Sequence, residues 1–147
     1  MNSEIINLLN KIEAHPCHHE DSIFTRYRKL ANNDIELFKE LVGGRFTEYI
    51  EFMKYINGFS FRDLYLATFD EIWWTVDEHI MCFGWIGSEY NHSTLCLNKN
   101  NGKYYILYDE KTIKAEYESF DEMIIKLLKE VIDRPSVPGV DDKWKYI

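Results

Sequence analysis

Apolar residues recur every three to four positions in the first third of the chain and at its far end, and at every second position between. The first period predicts helices and the second predicts strands. Ile5, Leu8, Leu9 and Ile12 form one helical stripe. Ser3 is placed to cap it and Pro16 to end it, with a polar loop continuing through Asp21. A second helix is expected after Asp34, carrying Ile35, Leu37, Phe38, Leu41 and Val42 until Gly43-Gly44 breaks it. Thr47 is the expected cap of a third, with Ile50, Met53 and Ile56 on one stripe and Asn57-Gly58 as a left-handed stop.

From Leu64 the period is two. Ile72, Trp74 and Val76 alternate with Glu71, Trp73, Thr75 and Asp77, as in a half-buried strand. Ile80 to Ile86 is a further strand. Leu95-Cys96-Leu97 and Tyr104 to Tyr108 flank Lys99-Asn100-Asn101-Gly102, a hairpin signal because Asn and Gly accept the positive φ of a tight turn. Pairing across it puts Leu95, Leu97, Tyr104, Ile106 and Tyr108 on one face. Ser119 and Glu122 make a capping-box pattern for a last helix with Phe120, Ile124, Leu127, Leu128 and Val131 on its stripe, stopped by Pro135. The order of helices, strands and one closing helix predicts a single α+β domain over residues 1–147. Its mainly antiparallel sheet, supplied mostly by residues 59–109, packs against helices, and a loose tail is expected from about residue 133.

Composition adds a core and a sign. The 147 residues suffice for one domain, and 46% are hydrophobic, which excludes global disorder. Lys and Arg total 17 against 25 Asp and Glu, a formal charge of −8 that disfavours direct contact with nucleic acid or anionic membranes and favours a basic partner. Three cysteines, Cys17, Cys82 and Cys96, show no framework spacing, and Met1-Asn2-Ser3-Glu4 lacks the basic start of a signal peptide. No stretch approaches the roughly 20 apolar residues that span a bilayer. These features predict a cytoplasmic protein.

The candidate chemistry is sparse. His15, Cys17, His18, His19, Glu20 and Asp21 are the densest potential metal ligands. Adjacent loop side chains rarely converge as a tetrahedron, so a solvated loop is expected. His79-x-x-Cys82 and His92-x-x-x-Cys96 have zinc-like spacing, but a strand would turn His79 and Cys82 to opposite faces. The cysteines then read as small sheet-face or core residues. Asp70-Glu71, Asp77-Glu78, Asp109-Glu110 and Asp141-Asp142 read as solvated acidic surface, and no nucleophile elbow or phosphate-cradling loop accompanies them. No catalytic residue, metal or cofactor is expected, and an enzyme is the weakest reading. The strand face with Glu71, Trp73 and Asp77 is the first candidate for partner binding, because an aromatic ringed by charge is how interface anchors are built. Glu89 and Tyr90, in the segment Ser88 to Ser93, and Asp141 and Asp142 in the tail are further candidates.

Taken in order, these blocks resemble the SUKH superfamily (Smi/Knr-like domains), which includes bacterial immunity proteins and fungal cell-wall synthesis regulators. The segment Tyr49 to Gly58 is similar to that family's helix ending in Asn-Gly. Ile86-Gly87, the hairpin Leu95 to Tyr108 and the helix opening at Glu118-Ser119-Phe120-Asp121-Glu122 follow in its order, over roughly residues 35–132. Two segments differ from its pattern: Gly43-Gly44-Arg45-Phe46 stands in place of a Leu-Pro entry, and Ser88 to Ser93 in place of a glycine-rich connection. The resemblance implies a protein that binds a cognate toxin, in several cases a basic nuclease, and covers its active surface. The fungal branch implies an alternative, an intracellular adaptor or regulator.

Overall fold

The computed structural model describes residues 1–16, 32–75, 78–88, 91–109 and 111–135. Cys17, His18, His19, Glu20 and Asp21 lie outside the described residues, as do Val76, Asp77, Glu89, Tyr90, Glu110 and the C-terminal stretch with Asp141 and Asp142. The described chain is α+β. It forms helices α1 (Ser3–Glu13), α2 (Asn32–Val42), α3 (Thr47–Tyr55) and α4 (Phe120–Asp133). Its strands are β1 (Phe59–Phe61), β2 (Leu64–Leu66), β3 (Trp73–Trp74), β4 (Ile80–Ser88), β5 (Asn91–Asn98), β6 (Tyr104–Tyr108) and β7 (Thr112–Tyr117). All pairings are antiparallel, in the order β1-β2-β4-β5-β6-β7, and β3 shares with β2 the same edge of β4.

The helical stripes face the sheet much as their spacing predicts. Ile5, Leu8, Leu9 and Ile12 of α1 are buried, as are Phe120, Ile124, Leu127, Leu128 and Val131 of α4. Ser119 caps α4, its Oγ accepting the Glu122 N–H at 3.1 Å. Two other caps are corrected. Asn2 rather than Ser3 caps α1, its side chain accepting the Glu4 N–H at 2.8 Å. Phe46 rather than Thr47 occupies the cap position of α3, in a left-handed conformation (φ 64°) with no side-chain cap bond. Its ring is buried edge-on against Tyr104 at 5.3 Å, so packing sets that boundary in place of capping. Leu37 and Leu41 are 57% and 53% exposed, because α2 turns only Ile35, Phe38 and Val42 inward.

The core lies between the helices and one face of the sheet. Phe38, Tyr49, Phe52, Phe83, Tyr104 and Phe120 interlock there with ring centroids about 5 to 6.5 Å apart, each contact within the range of favourable aromatic pairs. Burying side chains of this size contributes roughly 1.5–3 kcal/mol apiece. Arg62, in the positive-φ turn between β1 and β2, is buried and donates from Nη1 to the carbonyls of Val131 and Arg134 at 2.7 Å each. A cation thus satisfies the carbonyl end of α4.

The hairpin register is the expected one: Leu95 faces Ile106 and Leu97 faces Tyr104, all four in the core. Tyr108, at the strand end, is exposed instead. Arg45 pins the turn, donating to the carbonyls of Lys99 and Asn100 at 3.0 and 2.8 Å. The strand expected over Glu71 to Asp77 is mostly absent from its described part. Phe69–Glu71 is a 3-10 turn, and only Trp73 and Trp74 pair with β4. The chain must step from β4 residues 84–86, where β2 pairs, to residues 81–82, where β3 pairs, and the turn makes that step. Asn57 anchors it, its Oδ1 accepting the Phe69 N–H at 2.9 Å.

Candidate binding face

The face of the sheet turned away from the four helices is the part of the fold with the most distinctive side chains. Its arrangement depends on one irregularity. Cys82 pairs with Cys96 but Gly84 pairs with Leu95, so β4 carries an extra residue at Phe83. Phe83 and Gly84 therefore both lie on the core side. A Cβ at Gly84 would stand 2.3 Å from the Tyr65 carbonyl oxygen, so the bulge needs a glycine there. Beyond the bulge Trp85 emerges on the outer face, opposite Tyr65 on β2 and Thr94 on β5.

Two cross-strand rows result. One runs Tyr65, Trp85, Thr94, Leu107, and the other Trp73, Cys82, Cys96, Tyr105, Glu116. Tyr65 stacks on Trp85 with centroids 4.1 Å apart and planes within 20°, and Trp73 is tilted against Trp85 at 6.4 Å. Exposed His92 approaches the other side of Trp85 at 6.2 Å. Tyr65, Trp73 and Trp85 are each half-buried, whereas Cys82, Cys96, Tyr105 and Leu107 are buried as a second, smaller apolar cluster.

Carboxylates border the aromatic row at one end. The Tyr65 hydroxyl donates to Glu71 Oε2 at 2.6 Å. Thr68 donates to Asp70 at 2.6 Å, with Glu71 Oε1 3.0 Å from the same hydroxyl. Desolvation pushes the Tyr65 phenol up to about 12, and the Glu71 hydrogen bond and the charges of Glu71 and Asp70 add to it, so the phenol remains a donor far above neutral pH. At the opposite end Lys103 bridges Glu116 and Glu118 at 2.9 and 3.4 Å. Those two carboxylates hold its ammonium above the usual lysine range.

Of the residues singled out from sequence, Glu71 and Trp73 do share this side of the sheet, linked through Tyr65 and Trp85, although Glu71 reaches it from a turn and not from a strand. Asp77, Glu89, Tyr90, Asp141 and Asp142 lie outside the described residues. Tyr65 and Trp85 were not anticipated; Trp85 follows Cys82 at an odd spacing, and only the bulge brings the two to one face. Trp74 points the other way and packs at the core margin, with the Lys99 ammonium 5.3 Å over its ring. Among the described residues no group of three or more His, Cys, Asp or Glu could hold a metal ion. Cys82 and Cys96 meet each other, with sulfurs 3.4 Å apart.

Open depressions elsewhere among the described residues include the following two. A polar cleft of about 490 Å3 is lined by Asp63, Ser93, Lys114, Glu130 and Arg134, with Arg134 donating from Nη1 and Nη2 to the two carboxylate oxygens of Asp63. An apolar groove of about 410 Å3 is lined by Leu37, Leu41, Phe69, Ile72 and Trp74. No described helix is long and apolar enough to cross a membrane. No family model matches the chain, and no curated protein matches it.

Proposed function

We propose that this chain acts by binding another protein through the outer face of its sheet, and that it is a cytoplasmic immunity protein for a cognate bacterial toxin whose basic, nuclease-like surface it covers. The observation that carries this reading is the half-buried row Tyr65–Trp85–Trp73 bordered by Glu71 and Asp70. Aromatics of this kind, held rigid by stacking and set beside carboxylates, supply apolar contact area at small entropic cost and a charge that steers a cationic partner. The resemblance of the ordered sequence blocks to the SUKH superfamily supports the same reading, as does a formal charge of −8.

The test looks beside the gene for one that encodes a large toxin-like protein and measures whether this chain protects cells that co-express it. Trp73→Ala is expected to weaken binding by about 2 kcal/mol, and the double variant Trp73→Ala/Glu71→Gln to lose protection. Circular dichroism on each variant separates lost binding from lost folding. Full protection by the folded double variant would overturn the assignment of this face.

A further inference from the structure

Cys82 and Cys96 occupy directly opposed positions in the middle of β4 and β5, and the backbone hydrogen bonds define what kind of pair they form. The Ile80 carbonyl accepts from Thr75 on the β3 side, while the His79 carbonyl accepts from Lys99 on the β5 side. Backbone groups alternate in direction along a strand, so Cys82, like Ile80, turns its backbone groups toward β3. On β5, Asn98 donates to Lys103 of the β6 hairpin arm, so Cys96 turns its groups toward β6. The two cysteines are therefore a non-hydrogen-bonded pair, the narrow kind, with Cα atoms about 4.5 Å apart. That separation lies within the range of about 4.4–6.8 Å that a disulfide spans. The sulfurs already touch at 3.4 Å, and both residues are fully buried beside Trp73.

We propose that Cys82 and Cys96 are a dithiol/disulfide couple, a modification site that staples β4 to β5 beside the aromatic row. This holds whether or not that row binds a partner. The oxidant class is a small peroxide, which needs little room between the strands. One thiol, as its thiolate, attacks hydrogen peroxide, giving a sulfenic acid and, once a proton is taken up, a molecule of water. The second thiol attacks that sulfur, forming the S–S bond and releasing a second water. The net change is two thiols and one peroxide to one disulfide and two waters. Burial makes the reaction wait on local opening of the sheet, so it is slower than oxidation of an exposed thiol.

The experiment treats the native full-length protein with hydrogen peroxide, then blocks remaining thiols and maps peptides by mass spectrometry without reduction. The expected product is two mass units lighter and contains a Cys82–Cys96 linked peptide. Its thermal midpoint is expected to rise by roughly 5–10 °C, reversed by dithiothreitol, since the cross-link closes a short loop. Tryptophan emission is expected to fall as the disulfide forms next to Trp73. Cys17→Ser is expected to oxidise as wild type does, and Cys82→Ala to leave Cys96 unlinked. Thiols that stay reduced through partial opening in mild urea, oxidation only to sulfinic acid, or a sole disulfide involving Cys17 would each overturn the proposal. Peptide mapping of the wild type decides the matter even if a variant fails to fold.

Discussion

At the scale of single residues, two buried side-chain oxygens lack a hydrogen-bond partner among the described residues, Thr75 Oγ1 and, within the core, the hydroxyl of Tyr49. The Tyr49 hydroxyl is buried with no hydrogen-bond partner among the described residues, while its ring packs against Phe38, Phe83 and Phe120. Burial pushes this phenol well above the usual tyrosine range. Carrying an unpaired hydroxyl into an apolar site costs more than the oxygen returns in contacts. Tyr49→Phe keeps the ring stacking and removes the cost, so it is expected to raise unfolding free energy by about 1 kcal/mol in urea titration. A loss of similar size would mean that the hydroxyl holds a partner essential to the fold. The contrast with Tyr65 is instructive: that hydroxyl has Glu71, and the bond ties the 3-10 turn to β2.

Among the elements, α4 shows how local signals and packing divide the work. Its Ser119 cap and apolar stripe are legible in the sequence because both are short-range patterns. The Glu48 side chain is not: from α3 it accepts the Asp121 backbone N–H at 3.0 Å, a contact across 73 positions. That arrangement sets two carboxylates close together. Burial, reinforced by Glu48, pushes Asp121 above its ordinary value of 3.8, against smaller opposing contributions from the Asn2 hydrogen bond and the N-terminal amine. A carboxyl raised in the folded state binds its proton more tightly there than in the unfolded chain. Stability from this group is therefore lost as pH rises through and above the ordinary carboxylate value. Asp121→Asn is expected to gain on wild type between about pH 3 and pH 6 in thermal midpoint, with the difference vanishing at the acid end. An unchanged difference across that range would show that Asp121 titrates normally. Strands were less legible than helices for related reasons. β7 is a largely exposed edge strand, so its Thr112 to Tyr117 carries little apolar alternation to read. The extra residue at Phe83 shifts β4 out of simple alternation, which hid Trp85 from the outer face. Glu71 and Trp73 were placed on one side correctly, but a strand was expected where the edge of β4 is divided between β2 and β3.

For the whole molecule, the division of labour on the proposed docking face gives a prediction that mutation alone does not. The helices cover one face of the sheet, and the aromatic row stands on the other. On the proposed reading, a formal charge of −8 would attract a basic partner from a distance, while Trp73 and Trp85 would act only on contact. Charge and contact then act on different rate constants. Screening shortens from about 10 Å at 0.1 M salt to about 3 Å at 1 M, so long-range attraction disappears while buried apolar contacts persist. Association with the proposed toxin is expected to slow by about tenfold or more between low and high salt, with dissociation changing little. Trp73→Ala is expected to do the reverse, accelerating dissociation and leaving the salt dependence of association intact. Stopped-flow or surface kinetics at several ionic strengths measures both. A salt-independent association rate would remove charge steering from the mechanism and leave an apolar contact alone. A Trp73→Ala variant with unchanged dissociation would move the interface off this face.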